Sequence, residues 1–192
     1  MAGTMLRDAR GAVRRAVGMV RYFEGSRGRP DCVDDLPYRL TASGAWARSR
    51  PAHLFFFFRR IKLSGFRLFA DLGSGDGAAA CVAGLFTHAV GIESDPELAS
   101  SAGRAARNLD IVDRVQFMCA DFFTQRIRAA DCLFIYPDKP IYSLEDVLDG
   151  WVGTLLVYGP HFPPKRMQLS EKLTCGKETL SVYRAARARA AP

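Results

Sequence analysis

Two carboxylates and three glycines fall within seven residues, Asp71-Leu72-Gly73-Ser74-Gly75-Asp76-Gly77. The apolar pair Phe69-Ala70 leads into them, and a helix-like stretch, Ala78 to Phe86, follows. A strand, a tight glycine turn and a helix N-terminus let a ligand sit against bare backbone. Phosphate loops share this outline, but the acids would repel a bare pyrophosphate and ask instead for a positively charged group. Glu93 closes the next apolar run and is followed by Ser94 and Asp95. A carboxylate there can accept from both hydroxyls of a ribose. Asp121-Phe122 closes the third run, where an acid can accept from an adenine amino group while a ring packs on the base. A ribosyl-adenine ligand with a cationic tail accounts for the whole set. The fourth run ends in Tyr136-Pro137-Asp138-Lys139. The phenol of Tyr136 and the carboxylate of Asp138 are the candidate catalytic groups, able to orient an amine or help deprotonate it. His161, beyond the fifth run, is read as structural.

Each of these residues also has a plainer reading. Gly73, Gly75 and Gly77 could mark only a tight strand–helix junction, and Glu93 a solvated strand end. Asp121 could be a helix N-cap, and Pro137-Asp138 is good turn chemistry by itself.

The elements that must position these groups alternate from Arg67 onward. Strands are expected at Leu68–Asp71, His88–Glu93, Val115–Cys119, Asp131–Tyr136 and Thr154–Tyr158. Helices are expected at Ala78–Phe86, at Pro96–Asn108 opened by Asp95, and at Ser143–Gly150 with Ser143 as N-cap. Gln168–Thr174 and Glu178–Tyr183 flank Cys175-Gly176-Lys177 as a hairpin. Alternating units imply a mainly parallel sheet with helices on both faces, and the hairpin adds an antiparallel strand near one edge. Upstream, residues 4–24 read as an amphipathic helix carrying Leu6, Ala9, Val13, Ala16, Val17, Val20 and Phe23 on one side. Gly25 to Pro30 breaks it, Asp31–Ser43 reads as irregular, and a second helix is expected over Gly44–Leu63, with Trp46, Phe55, Phe58 and Ile61 inward. Residues 1–66 thus form an N-terminal helical extension or cap on a ligand-binding domain at 67–192.

Bulk properties narrow the class. With 192 residues and 48% hydrophobic content, the chain fits one globular domain with an extension. No apolar stretch reaches the ~18 residues of a membrane span, and Met1–Gly18 lacks the continuous apolar core of a secretory signal. The weaker alternative there is an Arg-rich transit peptide. Five cysteines, Cys32, Cys81, Cys119, Cys132 and Cys175, without a C-x-x-C pair point to reduced thiols and a cytoplasmic location, with Cys81 and Cys132 as buried filler. His53, His88 and His161 have no ligand spacing, so no metal site is expected. A net charge of +7, much of it arginine at the two ends (Arg7, Arg10, Arg14, Arg15, Arg21, Arg27 and Arg29, then Arg184, Arg187 and Arg189), suits an anionic partner or simply solvated faces.

The segment from Arg67 to Tyr183 resembles the class I S-adenosylmethionine-dependent methyltransferases. Asp71 to Gly77 matches their D-x-G-x-G-x-G motif, Glu93 their ribose acid and Asp121 their adenine-side acid. The resemblance implies a Rossmann-like seven-stranded sheet with the seventh strand antiparallel, and S-adenosyl-L-methionine as cofactor. It places Asp71, Gly73, Ser74, Gly75, Gly77, Glu93, Ser94, Asp121 and Phe122 against that cofactor. More narrowly, Leu36-Pro37-Tyr38 with Thr41, followed by the glycine motif, is similar to small protein-lysine methyltransferases of archaea and mitochondria. Those carry Arg where this chain has Ala78, and Ile135-Tyr136-Pro137-Asp138-Lys139-Pro140 departs from their pattern and from the N-P-P-Y of many amino-group methyltransferases. The expected activity is methylation of a macromolecular acceptor, protein lysine ahead of RNA. The alternatives are an RNA methyltransferase, a non-catalytic S-adenosylmethionine-binding module on the same fold and, more weakly, a nicotinamide-dependent oxidoreductase.

Overall fold

The computed structural model describes residues 2–25, 38–41 and 44–185. In chain order its elements are α1 (Ala2–Glu24), β1 (Tyr38–Thr41), β2 (Gly44–Ala47), α2 (Pro51–Arg60), β3 (Leu68–Leu72), α3 (Ala78–Ala83) and β4 (His88–Glu93). There follow α4 (Pro96–Asn108), β5 (Val115–Cys119), β6 (Cys132–Ile135), α5 (Tyr142–Val147), β7 (Thr154–Tyr158), β8 (Met167–Cys175) and β9 (Glu178–Ala185). Seven strands form one sheet in the order β5-β4-β3-β6-β7-β9-β8, and β1 and β2 form a separate antiparallel hairpin. The pairs β3–β4, β4–β5, β3–β6 and β6–β7 are parallel. Strand β9 runs antiparallel to both of its neighbours, β7 and β8. The expected mainly parallel α/β sheet closed by an antiparallel hairpin is what the chain forms.

Period-two alternation divides the strand residues between two cores. Phe69, Cys132, Phe134, Leu156 and Tyr158 face one of them, which Met19 and Phe23 of α1, Leu54, Phe57 and Phe58 of α2, and all of α3 fill from outside. Ala70, Leu72, Leu133, Ile135, Leu155 and Val157 face the other, beneath Leu144 and Leu148 and the indole of Trp151. Phe58 stands edge-on to Phe69 and Phe134, at centroid distances of 5.3 and 5.9 Å. Burying such a ring contributes about 1.5–3 kcal/mol. At the start of the sheet, Asp131 accepts from the N–H groups of Arg67 and Leu68 at 2.9 and 2.8 Å. That bond pair fixes where β3 begins beside β6, and hence where its far end delivers the glycine turn.

The sequence reading and the structure part company at four places. Gly44–Leu63 is not one helix: β2 occupies its start, and α2 begins only at Pro51, whose fixed φ suits the first helical position. Tyr38–Thr41, read as irregular, is a strand because it has β2 to pair with; residues 31–37 and 42–43, with Leu36-Pro37 and Cys32, lie outside the described residues, as do Arg27, Arg29, Arg187 and Arg189. Helix α5 starts at Tyr142, with Ile141 at the cap and no side-chain cap bond, so Ser143 lies inside the helix. In α1 the buried stripe among the described side chains is Ala16, Met19 and Phe23, whereas Val13 and Val17 are exposed, and the side chains of Leu6 and Ala9 lie outside the described ones. The longer Met and Phe side chains bury more apolar area against α2 and α3 than two valines would. Asp95 does cap α4, accepting from the N–H groups of Glu97 and Leu98 at 2.9 and 3.1 Å.

Candidate functional site

The strand order reverses between β3 and β6: β4 and β5 lie to one side of β3, β6 and β7 to the other. The crevice beyond the carboxyl ends of strands at such a reversal is where open α/β sheets bind ligands. A cavity of about 580 Å³ opens there. Its walls bring together Asp71, Gly73, Ser74, Asp76, Glu93, Ser94, Asp121, Phe122, Tyr136 and Asp138. Gly75 and Gly77 complete the turn behind that wall.

The turn is built from backbone with positive φ at all three glycines, 74° at Gly73, 55° at Gly75 and 85° at Gly77. The N–H groups of Gly73 and Ser74 both reach the Ile92 carbonyl, at 2.9 and 3.1 Å, which ties the turn to the end of β4. Glu93, itself buried, accepts from the Gly75 N–H through Oε2 at 2.8 Å and from the Asp95 N–H through Oε1 at 2.9 Å. Each oxygen keeps further lone-pair capacity for a ligand hydroxyl.

Asp71 and Asp76 form the acidic floor. Asp71 is 2% exposed, and its Oδ2 has no hydrogen-bond partner. Burial raises its carboxyl from 3.8 to about 8; the Ala80 backbone N–H opposes the rise, and the charges of Glu93 and Asp76 add to it. Burial likewise lifts Asp76 to about 6, against the pull of the Ala78 N–H and the Arg48 guanidinium. Arg48 reaches Asp76 at 3.6 Å, an ion pair without a hydrogen bond, and the Ser74 Oγ has no partner either. Carboxylates held this far from water favour a cationic ligand that completes their bonding.

Asp121 caps the short turn Phe122–Thr124, accepting from the Phe123 N–H at 2.9 Å, and still borders the cavity. The rings of Phe122 and Phe123 lie 4.4 Å apart, with Phe123 44% exposed at the cavity edge. At the opposite end, Tyr136 is half-buried and meets Tyr158 edge-on at 5.0 Å. Burial, and next the charge of Glu178, raises its phenol above the ordinary value, so the ring keeps its proton at neutral pH. Asp138 is exposed, and its Oδ2 accepts from the Ala45 N–H at 2.8 Å. His161 is exposed and stands outside the cavity wall. Among the described residues no group of three His, Cys, Asp or Glu could hold a metal ion, and no helix is long and apolar enough to cross a membrane.

A helical extension or cap was expected from residues 1–66, but not a hairpin at the cavity roof. Gly44, Ala45, Trp46 and Ala47 of the hairpin face the cavity, and the guanidinium of Arg48 lies 5.7 Å from the Trp46 ring centre. The available signals were the Ser43-Gly44 turn dipeptide and Pro51, which cannot sit within a helix interior.

No family model and no curated protein matches this chain. Solved structures do. An RNA methyltransferase from Salinibacter ruber, in complex with S-adenosyl-L-homocysteine, superimposes with a TM-score of 0.65 at 21% identity, over 74% of this chain and 95% of its own. The fold is that of the S-adenosylmethionine-dependent methyltransferases. A methyltransferase from Geobacter sulfurreducens gives 0.55 at 18% identity, over 73% of this chain and 80% of its own. The B. subtilis tRNA methyltransferase TrmK gives 0.54 at 16%, over 69% and 65%. Within this methyltransferase fold, the turn after β3 and the ends of β4, β5 and β6 frame one cavity.

Proposed function

We propose that this chain is an S-adenosylmethionine-dependent methyltransferase acting on an amino group of a macromolecule, with protein lysine as the acceptor. The observation that carries the reading is the buried acid pair of the glycine turn, whose Asp71 Oδ2 lacks a partner in a cavity that also presents Glu93 and Asp121. That donor set fits the ligand. Asp71 and Asp76 suit an ammonium and a sulfonium, Glu93 the ribose hydroxyls, and Asp121 with Phe122 the adenine. Gly73, Ser74 and Ser94, which line the cavity, supply the close backbone and hydroxyl contacts, and Gly75 and Gly77 shape the turn behind them. When bound, S-adenosylmethionine supplies an electrophilic methyl group.

The chain's own residues then have three tasks. Acids in the turn hold the donor in one pose, so that attack is a matter of positioning. Tyr136 holds the acceptor amine by accepting an N–H through its phenol oxygen, while Asp138 draws an ammonium to the rim and can take its proton before attack. The N-terminal residues 1–66 act as a cap, their hairpin excluding water from the cavity.

An RNA acceptor is the second reading. It is supported by the RNA methyltransferase among the structural neighbours and by the net charge of +7. Calorimetric titration with S-adenosylmethionine tests the donor. Binding in the micromolar range is expected, with Glu93→Ala weakening it strongly; no binding to the wild-type protein contradicts the proposal. Salt-insensitive capture of protein rather than RNA from an extract favours lysine.

A further inference from the structure

The β1–β2 hairpin touches the site at two separated points, and each contact depends on a glycine of the opposite partner. At one end, Asp138 accepts the Ala45 N–H at 2.8 Å. A side chain on Gly44, where φ is +146°, would overlap the Asp138 carboxylate. At the other end, the Trp46 indole lies on the α-carbon of Gly75, so that a side chain there would overlap its ring. Arg48 seals this second contact, reaching Asp76 at 3.6 Å from a position over the Trp46 ring. The hairpin therefore bridges the rim after β6 and the glycine turn after β3, across the mouth of the cavity.

We propose that this hairpin is a clasp over the glycine-turn end of the site, with Trp46 as its closing plate and Asp138 as its latch, and that the adenosyl ligand enters and leaves only when the latch is released. The identity of the ligand rests on the methyl-donor reading; the clasp itself does not. Three features support a moving part. The latch bond observed among the described residues, from the Ala45 N–H, falls on an exposed carboxylate. The hairpin strands pair only with each other, outside the seven-stranded sheet. Trp46 lies against Gly75 and lines the same cavity as the buried acids that the cationic tail must reach. In this role Asp138 is a positioning residue, separate from its part in holding an acceptor amine.

The two roles come apart in the variants Asp138→Asn and Asp138→Ala. Asn retains an oxygen that accepts the Ala45 N–H; Ala does not. The chain has two tryptophans, so Trp151→Phe leaves Trp46 as the reporter. In ligand-free protein, acrylamide should quench Trp46 several-fold more strongly with Asp138→Ala than without it, and Asp138→Asn should match the parent. Stopped-flow release of S-adenosylhomocysteine should be about tenfold faster in Asp138→Ala, equivalent to ~1.4 kcal/mol, and within about twofold of the parent in Asp138→Asn, on the worth of one charge-assisted hydrogen bond. Because Trp151 is a core residue, hydrogen exchange of Gly44–Ala47 in protein with both tryptophans gives an independent arm: faster exchange in Asp138→Ala alone supports the latch. Unchanged quenching and exchange in Asp138→Ala, or an Asp138→Asn that behaves like it, overturns the clasp. Failure of the parent to bind S-adenosylhomocysteine overturns the methyl-donor reading instead, and the ligand-free arms still decide the clasp.

Discussion

Replacing Asp71 with Asn is expected to flatten the pH dependence of stability and to weaken donor binding. Burial raises this carboxyl from 3.8 to about 8, whereas in the unfolded chain it ionises near the ordinary value. Between those two values the folded protein holds a proton that the unfolded chain has released. Stability is therefore lost as pH rises through the window, by about 1.4 kcal/mol per pH unit well inside it. Asp76 adds to the slope only up to about 6, which leaves Asp71 as the acid of the turn still titrating from there to about 8. Over that interval, with the slope levelling near the top, the loss from Asp71 is about 2 kcal/mol. Asn has nearly the same shape and does not titrate. Urea unfolding of both proteins at about pH 6, 7 and 8 should show the wild type losing roughly 2 kcal/mol more than Asp71→Asn. Parallel curves would refute the assignment of a buried, proton-holding Asp71. The same variant removes one charge-assisted contact to the donor, worth about 1.5–3 kcal/mol, so affinity should fall roughly ten- to hundredfold. Because a cationic ligand must ionise Asp71, wild-type binding near pH 7 should release close to one proton, read from calorimetry in buffers of different ionisation enthalpy.

Gly75→Ala should reduce donor affinity at least tenfold, and it should also expose Trp46 to acrylamide, since the new methyl group meets the indole and the position has φ of 55°. Phe58→Ala, which empties a fully buried ring position between Phe69 and Phe134, should cost about 3–5 kcal/mol in chemical denaturation. Asp131 experiences an upward push from burial that is outweighed by the N–H groups of Arg67 and Leu68 and by the Arg67 charge, so its carboxyl lies below the ordinary value. The stability it contributes is present above that ordinary value and is lost as pH falls through the depressed one. Asp131→Ala should thus lower stability near pH 7 by about 1 kcal/mol and show less further loss on acidification; an equal acid loss in both proteins would contradict this.

The sheet was legible because its strands are short, apolar and separated by strong punctuation. Asp71 to Gly77, Asp95-Pro96 and Cys175-Gly176-Lys177 each mark an element boundary that the structure keeps. The acids at the strand ends were legible for the same reason: strand order alone sends Asp71, Glu93, Asp121 and Tyr136 to one edge, and the cavity collects them. The N-terminal part was misread where local signals compete. In 44–63 the phenylalanines of α2 give a helical pattern strong enough to swallow the four residues of β2. A two-stranded hairpin has little intrinsic stability, and its reason for forming, Asp138 and Gly75 beneath it, is remote in sequence. Asp138 shows the same limit. Its neighbours made it a candidate for amine chemistry, while its bond to Ala45, ninety-three positions away, depends on the tertiary fold.

Incubation of the protein with methyl-labelled S-adenosylmethionine and a cell extract, with and without RNase, tests the central claim most directly. The account predicts a labelled protein band that survives RNase and is much weaker in Asp71→Asn at sub-saturating donor. Label that is lost with RNase would transfer the activity to RNA. No label in any fraction, from protein that binds the donor, would contradict the assignment of a methyltransferase.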